Sequence, residues 1–175
     1  MGRFVVAGLT LQPLVALAIA SPTIGLLPLF EIWFGFGALA RIMFIAFVSV
    51  WGILLNTYTG VREVSGKYED LARASSLGAG RTAWKVVLPA SSPYIFVGMR
   101  LGIAHAMVGM VLAGQAFGVT GLGGLTDVYS TEAEISNVVA VIFSITLLAY
   151  LAFWALRGLE LRFFPWIADI GRPGQ

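Results

Sequence analysis

His105 is the only histidine of this chain, and cysteine is absent. Thiolate metal sites and disulfides are therefore excluded, and one imidazole is left as the base for any nucleophilic chemistry. Ser91, Ser92 and Ser144 are the serines to weigh against it. None stands in the Gly-x-Ser-x-Gly frame that exposes a hydrolase nucleophile. A lone histidine is more often a hydrogen-bonded packing residue than a ligand, so a substrate or gating role for His105 is the alternative to a structural one. The nearest approach to a phosphate loop is GVREVSGKY at 60–68. Its glycines are one residue too far apart, and Tyr68 stands where Ser or Thr would hold magnesium. ATP hydrolysis by this chain is not expected, and neither is a metal or an organic cofactor.

What must position these groups is mostly oily. Of the 175 residues, 58% are hydrophobic and only 11% are charged. Soluble domains are about a quarter charged, and one this short could not hide so much apolar surface. The composition implies an all-α integral membrane protein forming one domain over 1–175. The pI near 9.2 does not point to nucleic acid, because the bases are spaced between apolar runs as topology-setting loop charges. Met1–Arg3 ahead of an apolar run is a weak match to a signal peptide, and no soluble domain follows it.

Pro13, Pro22 and Pro28 break the uncharged run from Phe4 to Phe30. Helical segments are expected at about 4–20, either spanning or interfacial, and at 22–36, with Ser21-Pro22 as cap and first turn. FGFGA at 34–38 reads as a turn. Further spans are expected at about 39–59, 93–117 and 136–157, each near the roughly 20 residues a bilayer demands. Asn56, Thr57 and Thr59 mark the polar end of one of them. Arg62, Lys67, Arg73, Arg81 and Lys85 fall in 60–85. The stretch 118–134 reads as a glycine-rich, acidic loop, without a base and carrying Asp127, Glu132 and Glu134. The positive-inside rule puts the first region and the Arg157–Arg172 tail in the cytoplasm, and the acidic segment outside.

The stretch ARASSLGAGRTAWKVVLPASSP at 72–93 interrupts the oily pattern. Its small Ala and Ser residues predict a short helix at about 69–78 that a partner can approach closely, stopped by Gly78-Ala79-Gly80. A second short run ends at Pro89, and Ser92-Pro93 restarts a helix. The plainer alternative is a solvated connection between two spans.

SLGAG…VVLPASSP resembles the cytoplasmic signature of the membrane subunits of binding-protein-dependent ABC importers. Gly78 matches its glycine, Ala74 its second alanine, and Val86, Leu88 and Pro89 its closing element. IGLLPLFEIWFGFG (24–37), ILLNTYTGVREV (53–64), SPYIFVGMRLGI (92–103) and GLGGL (121–125) are similar to the branch serving nitrate, alkanesulfonate, taurine and bicarbonate. The resemblance covers most of the chain from about Pro13. It implies a bacterial inner-membrane permease that pairs with a second copy, ABC ATPase subunits and an extracytoplasmic solute-binding protein. On that pattern Glu69, Asp70, Ala72, Arg73, Ala74, Ser75, Gly78, Ala79, Leu88 and Pro89 grip the ATPase. The motif's acid is replaced by Ala72 and its first alanine by Arg73, and the spacer from Gly78 to Pro89 is two residues short. Related subunits often place an acid near Gln115, which is neutral. Family members also carry a span before the region matching 13–36, so the chain is expected to begin after it. A non-functional remnant, or an intramembrane enzyme using His105, are the alternatives.

Gly98, Gly102 and Ala106, then Gly109 and Ala113, recur every fourth residue, which lets membrane helices pack backbone to backbone. They serve either an interface with the second copy or packing within one subunit. Arg100 is expected to reach back to the cytoplasmic surface, with anion contact as the alternative. His105 and Gln115 are the candidates for the translocation path. Glu31 and Arg41 are placed near the outer water boundary. GLGGL needs a positive φ or a close backbone approach; it reads as an external turn, or as part of a docking face for the binding protein.

Overall fold

A computed structural model describes residues 21–74, 79–117 and 121–164. Among them no strand occurs. A 3-10 turn (Thr23–Leu26) leads into α1 (Leu27–Phe34) and α2 (Ala38–Ala74). Then come α3 (Ala79–Thr82), a π-helical turn (Ala83–Val87), α4 (Leu88–Ala116), α5 (Gly121–Thr131) and α6 (Ile135–Phe163). Among the described residues three stretches are long and apolar enough to cross a bilayer, Ala38–Ser65, Gly80–Ala116 and Ile135–Phe163, and Thr23–Phe34 is a shorter apolar helix. The chain is an all-α membrane protein, and each expected span from 22 onward is helical. The segment expected at 4–20 lies outside the described residues.

Three boundaries differ from expectation. The first is the end of α2. Asn56, Thr57 and Thr59 do not terminate it, because the Asn56 amide donates to the Gly52 carbonyl at 2.9 Å and the Thr59 hydroxyl to Leu55 at 2.9 Å. Their polar groups are satisfied inside the helix and offer the backbone no competing partner. The run beyond, which includes Arg, Glu, Lys, Leu and Ala, propagates the helix. At about 1.5 Å per residue, 37 residues reach about 55 Å against a hydrocarbon core of about 30 Å. Residues 69–74, expected to open a separate helix at 69–78, are therefore the protruding end of α2.

The second is the Pro-Ser elbow. Pro89 does not stop a helix and Ser92-Pro93 does not restart one: α4 begins at Leu88, and Pro93 lies inside it. Pro89 lies just past the π-helical turn, within the continuous helical stretch Gly80–Ala116. Pro93 leaves the Pro89 carbonyl without its usual donor, and the Ser92 hydroxyl supplies one at 2.7 Å. The Ser91 hydroxyl donates to Val87. The π-helical turn immediately before Leu88 widens the coil where the proline rings crowd it.

The third is the acidic segment. Instead of an irregular loop, 121–131 forms α5, opened by Gly121 at φ 69°. It closes with Ala133 at φ 57°, whose N–H reaches Ser130 while that of Glu134 reaches Tyr129 at 2.9 Å. This is the paired closure that satisfies the last carbonyls of a helix.

The chain groups into two compact units, each with its own packing. One comprises the described residues through Trp51 with Ala104–Leu147, the other Gly52–Ile103 with the described residues from Leu148. In the first, Gly35 at φ 76° ends α1 and turns the chain into α2. Leu27, Phe30, Ala40, Phe44, Ala113 and Phe117 form a buried cluster. Phe30 meets Phe44 edge-on at 5.5 Å, and Phe44 meets Phe117 at 6.1 Å. Lipid tails are as apolar as leucine, so close packing rather than water exclusion holds such helices together.

In the second unit, α2 and α4 approach through glycines. A Cβ placed on Gly98 would lie 3.0 Å from the Ile53 carbonyl oxygen and 3.1 Å from Asn56 Cβ. Gly60 lies against the Tyr94 side chain, whose hydroxyl donates to Glu63 at 2.7 Å. The segments 53–64 and 92–103, singled out by resemblance, are thus packing partners.

Candidate functional site

In the first unit, α4, α5 and α6 enclose an open groove of about 320 Å³. Gln115, Thr126, Ser130 and Thr146 supply its polar atoms, over walls that include Val111, Ile142 and Ile145. Small residues make room for it. Gly114 on α4 and Gly123 and Gly124 on α5 are buried against each other's helices, so the Gln115 amide comes within 3.4 Å of the Thr126 hydroxyl. The hydroxyl protons of the groove are already engaged. Thr126 donates to the Gly123 carbonyl at 2.5 Å, Ser130 to Thr126 at 2.6 Å and Thr146 to Ile142 at 2.9 Å. Carbonyls only accept, so these contacts fix the direction of each bond.

Gln115, a candidate for the path, is therefore brought to a mainly apolar groove that carries a few polar side chains. His105 is exposed on α4 and is not among the groove's residues. Thr126, Ser130 and Thr146 were missed by sequence reasoning. Once 121–131 is known to be helical, Thr126 and Ser130 at i and i+4 share a face, but GLGGL argued against a helix there.

The small residues expected at a helix interface are placed as follows. Gly98, Gly102, Gly109 and Ala113 are buried, and Ala106 is half-buried. Gly109 faces Ile45 and Val48 on α2, at 3.5 Å and 3.6 Å from its would-be Cβ. GLGGL, expected as an external turn, instead begins with a turn glycine and continues as a close-packed helix.

In the second unit, Arg100 does not simply reach back along α4. Its guanidinium pairs with Glu160 near the end of α6. The Glu160 side chain is 8% exposed and that of Arg100 37%. The sequence signal was a lone acid, in LRGLELRF, at the end of an apolar helix.

Of the residues expected to grip an ATPase, Glu69, Asp70, Ala72, Arg73 and Ala74 occupy the last turns of α2. Ala79 opens α3, and Leu88 and Pro89 open α4. Ser75 and Gly78 lie outside the described residues.

The serine nucleophiles fail on geometry. Ser91 and Ser92 are buried, with their hydroxyls donated to Val87 and Pro89, and Ser144 donates to Ala140. Ser92 and His105 lie on one helix, 13 residues apart, or about 20 Å of rise.

A family model for binding-protein-dependent transport system inner membrane components matches residues 1–165. The chain is 27% identical over 154 residues to the formylaminopyrimidine transport permease protein ThiX of Halalkalibacterium halodurans, covering 88% of this chain and 62% of that protein. It is 30% identical over 162 residues to the taurine transport system permease protein TauC of Escherichia coli, covering 91% and 58%. It is 34% identical over 129 residues to the bicarbonate transport system permease protein CmpB of Synechococcus elongatus, covering 69% and 46%. The chain thus spans about half to three-fifths of the length of these relatives.

Proposed function

The chain belongs to the family of binding-protein-dependent transport system inner membrane components, and from that premise we propose that it is the permease subunit of an ATP-driven importer of small anionic solutes such as nitrate, sulfonate, taurine or bicarbonate. It performs no chemistry of its own. ATP is hydrolysed on separate subunits, a solute-binding protein delivers the solute outside, and a second copy completes the path.

The observation that carries this reading is the length of α2. Its apolar part is enough to cross the bilayer, and the helix then continues into Glu69, Asp70, Arg73 and Ala74. A continuous helix transmits displacement along its axis, so an ATPase gripping 69–89 moves α2 and α4 within the membrane. The bases at 62–85 support a cytoplasmic position for this end, with the C-terminus on the same side. Exposed Val139, Phe143, Leu147 and Trp154 on α6 supply the apolar surface for lipid and for the second copy.

Co-purification with the cognate ATPase in detergent tests the reading. The unaltered permease is expected to retain the ATPase through affinity purification. Ala74→Glu, which puts a long anion on the gripping face, is expected to lower the retained ATPase about tenfold or more. Undiminished retention by Ala74→Glu would remove residues 69–89 from the coupling surface. No retention by the unaltered chain would remove the permease reading itself.

A further inference from the structure

We propose that the groove of Gln115, Thr126, Ser130 and Thr146 contacts the amino end of the solute, so that the solute class is acids that also carry an amino or ammonium group. This rests on the permease reading and narrows it. The argument is a count of donors and acceptors. The three hydroxyls of the groove give their protons to Gly123, Thr126 and Ile142. Each hydroxyl oxygen then has only acceptor capacity to offer. Gln115 directs its amide nitrogen toward Thr126, which leaves one amide N–H as donor beside its carbonyl oxygen. The groove thus presents the oxygens of Ser130, Thr146 and Gln115, with the buried Thr126 oxygen already accepting from Gln115, against one free N–H.

Charge points the same way. From Phe117 to Leu147 there is no lysine or arginine, while Asp127, Glu132 and Glu134 fall in this stretch. A bare oxyanion meets a single N–H here, and no lysine or arginine lines the groove. Acceptor oxygens repel an oxyanion's lone pairs rather than hydrogen-bond them. An ammonium or amino group has up to three N–H donors for these acceptors, and the acidic stretch attracts its charge. The apolar walls of Val111, Ile142 and Ile145 accommodate a short hydrocarbon spacer.

The chain has no cysteine, so Val138→Cys places a single reporter in the groove wall without touching its polar groups. The complete transporter is placed in nanodiscs of phosphatidylcholine and phosphatidylglycerol, which expose both faces. Labelling of this chain is measured with 2-aminoethyl, 2-(trimethylammonio)ethyl and 2-sulfonatoethyl methanethiosulfonate, each normalised to its rate with a free thiol. The aminoethyl reagent is expected to react about tenfold faster than the sulfonatoethyl one, and faster than the trimethylammonio reagent, which has charge but no N–H. Gln115→Leu is expected to shrink the second difference. Protection by 2-aminoethanesulfonate but not by ethanesulfonate is the matching competition result. Equal rates, a faster sulfonatoethyl reagent or no labelling would overturn the inference. So would loss of labelling on adding phosphatidylethanolamine alone, which would make the groove a lipid-headgroup site. Retained ATPase co-purification alongside any of these would leave the permease reading standing.

Discussion

Arg100→Met is expected to destabilise the folded permease by about 3–5 kcal/mol, and Glu160→Gln by distinctly less. Removing Arg100 leaves the buried Glu160 carboxylate uncompensated, whereas removing Glu160 leaves a half-exposed guanidinium. The two members are not equally buried. Glu160 has 8% of its side chain exposed, and its short stem holds the carboxylate where it is. Arg100 is 37% exposed, and its long stem can carry the guanidinium toward the membrane surface when the partner is gone. The stranded carboxylate is thus the costlier remnant. The double variant Arg100→Met/Glu160→Gln buries no charge and should recover most of the loss, so the two changes should be far from additive. Thermal unfolding of purified protein in one detergent measures all three. Additivity in the double would show that the pair contributes nothing specific to holding α4 on α6, and equal effects of the single changes would contradict the unequal burial of its members.

Gly123→Val is the second large effect, with Gly114→Val beside it. A Cβ on Gly123 would stand 2.7 Å from the carbonyl oxygens of Met110 and Val111 and 2.8 Å from Val111 Cα. A Cβ on Gly114 would stand 2.6 Å from the Gly124 nitrogen. Both obstacles are backbone, so no flexible side chain can give way. Overpacking costs typically about 1–3 kcal/mol, and a β-branched side chain driven between two backbones belongs at or above the top of that range. Separation of α4 from α5 would also carry Gln115 away from Thr126 and open the groove. Gly158 on α6 is the control, because nothing lies within 4 Å of its would-be Cβ. Gly158→Ala should leave stability unchanged or raise it by up to about 1 kcal/mol through helix propensity. The readout is the yield of monodisperse protein on size exclusion together with its unfolding temperature. Normal yield from Gly123→Val would contradict the close approach of these helices.

The spans were legible because composition and length decide them. An apolar run such as 136–156 has few other fates, and glycine at 35 and 37 announces the turn after α1. What failed was the reading of polar and small residues as stops. Asn56 and Thr59 look like a helix end, yet inside a helix each can bond back to its own coil. Pro93 looks like a start, yet the Ser92 hydroxyl replaces the donor that proline lacks. GLGGL looks like a turn because glycine is flexible, but Gly123 is there to let a backbone come near. Spacing along one segment does not reveal which neighbour makes the approach. Glu160 and Thr146 were invisible for the same reason: Arg100, which pairs with Glu160, and the other walls of the groove that Thr146 lines are distant in sequence. Gln115 was the one path candidate of the sequence that the structure brings to this groove. The segments matched by resemblance, 53–64 and 92–103, prove to face each other through Gly60, Tyr94 and Gly98. Their pattern records a helix contact as much as a transport role.

The most direct test of the proposal uses Ala74→Cys as the only cysteine of this chain. A membrane-impermeant thiol reagent is applied to right-side-out and inside-out vesicles, with and without the ATPase bound. Labelling confined to inside-out vesicles and blocked by the ATPase is the predicted result. Labelling from the outer face, or labelling indifferent to the ATPase, would contradict it.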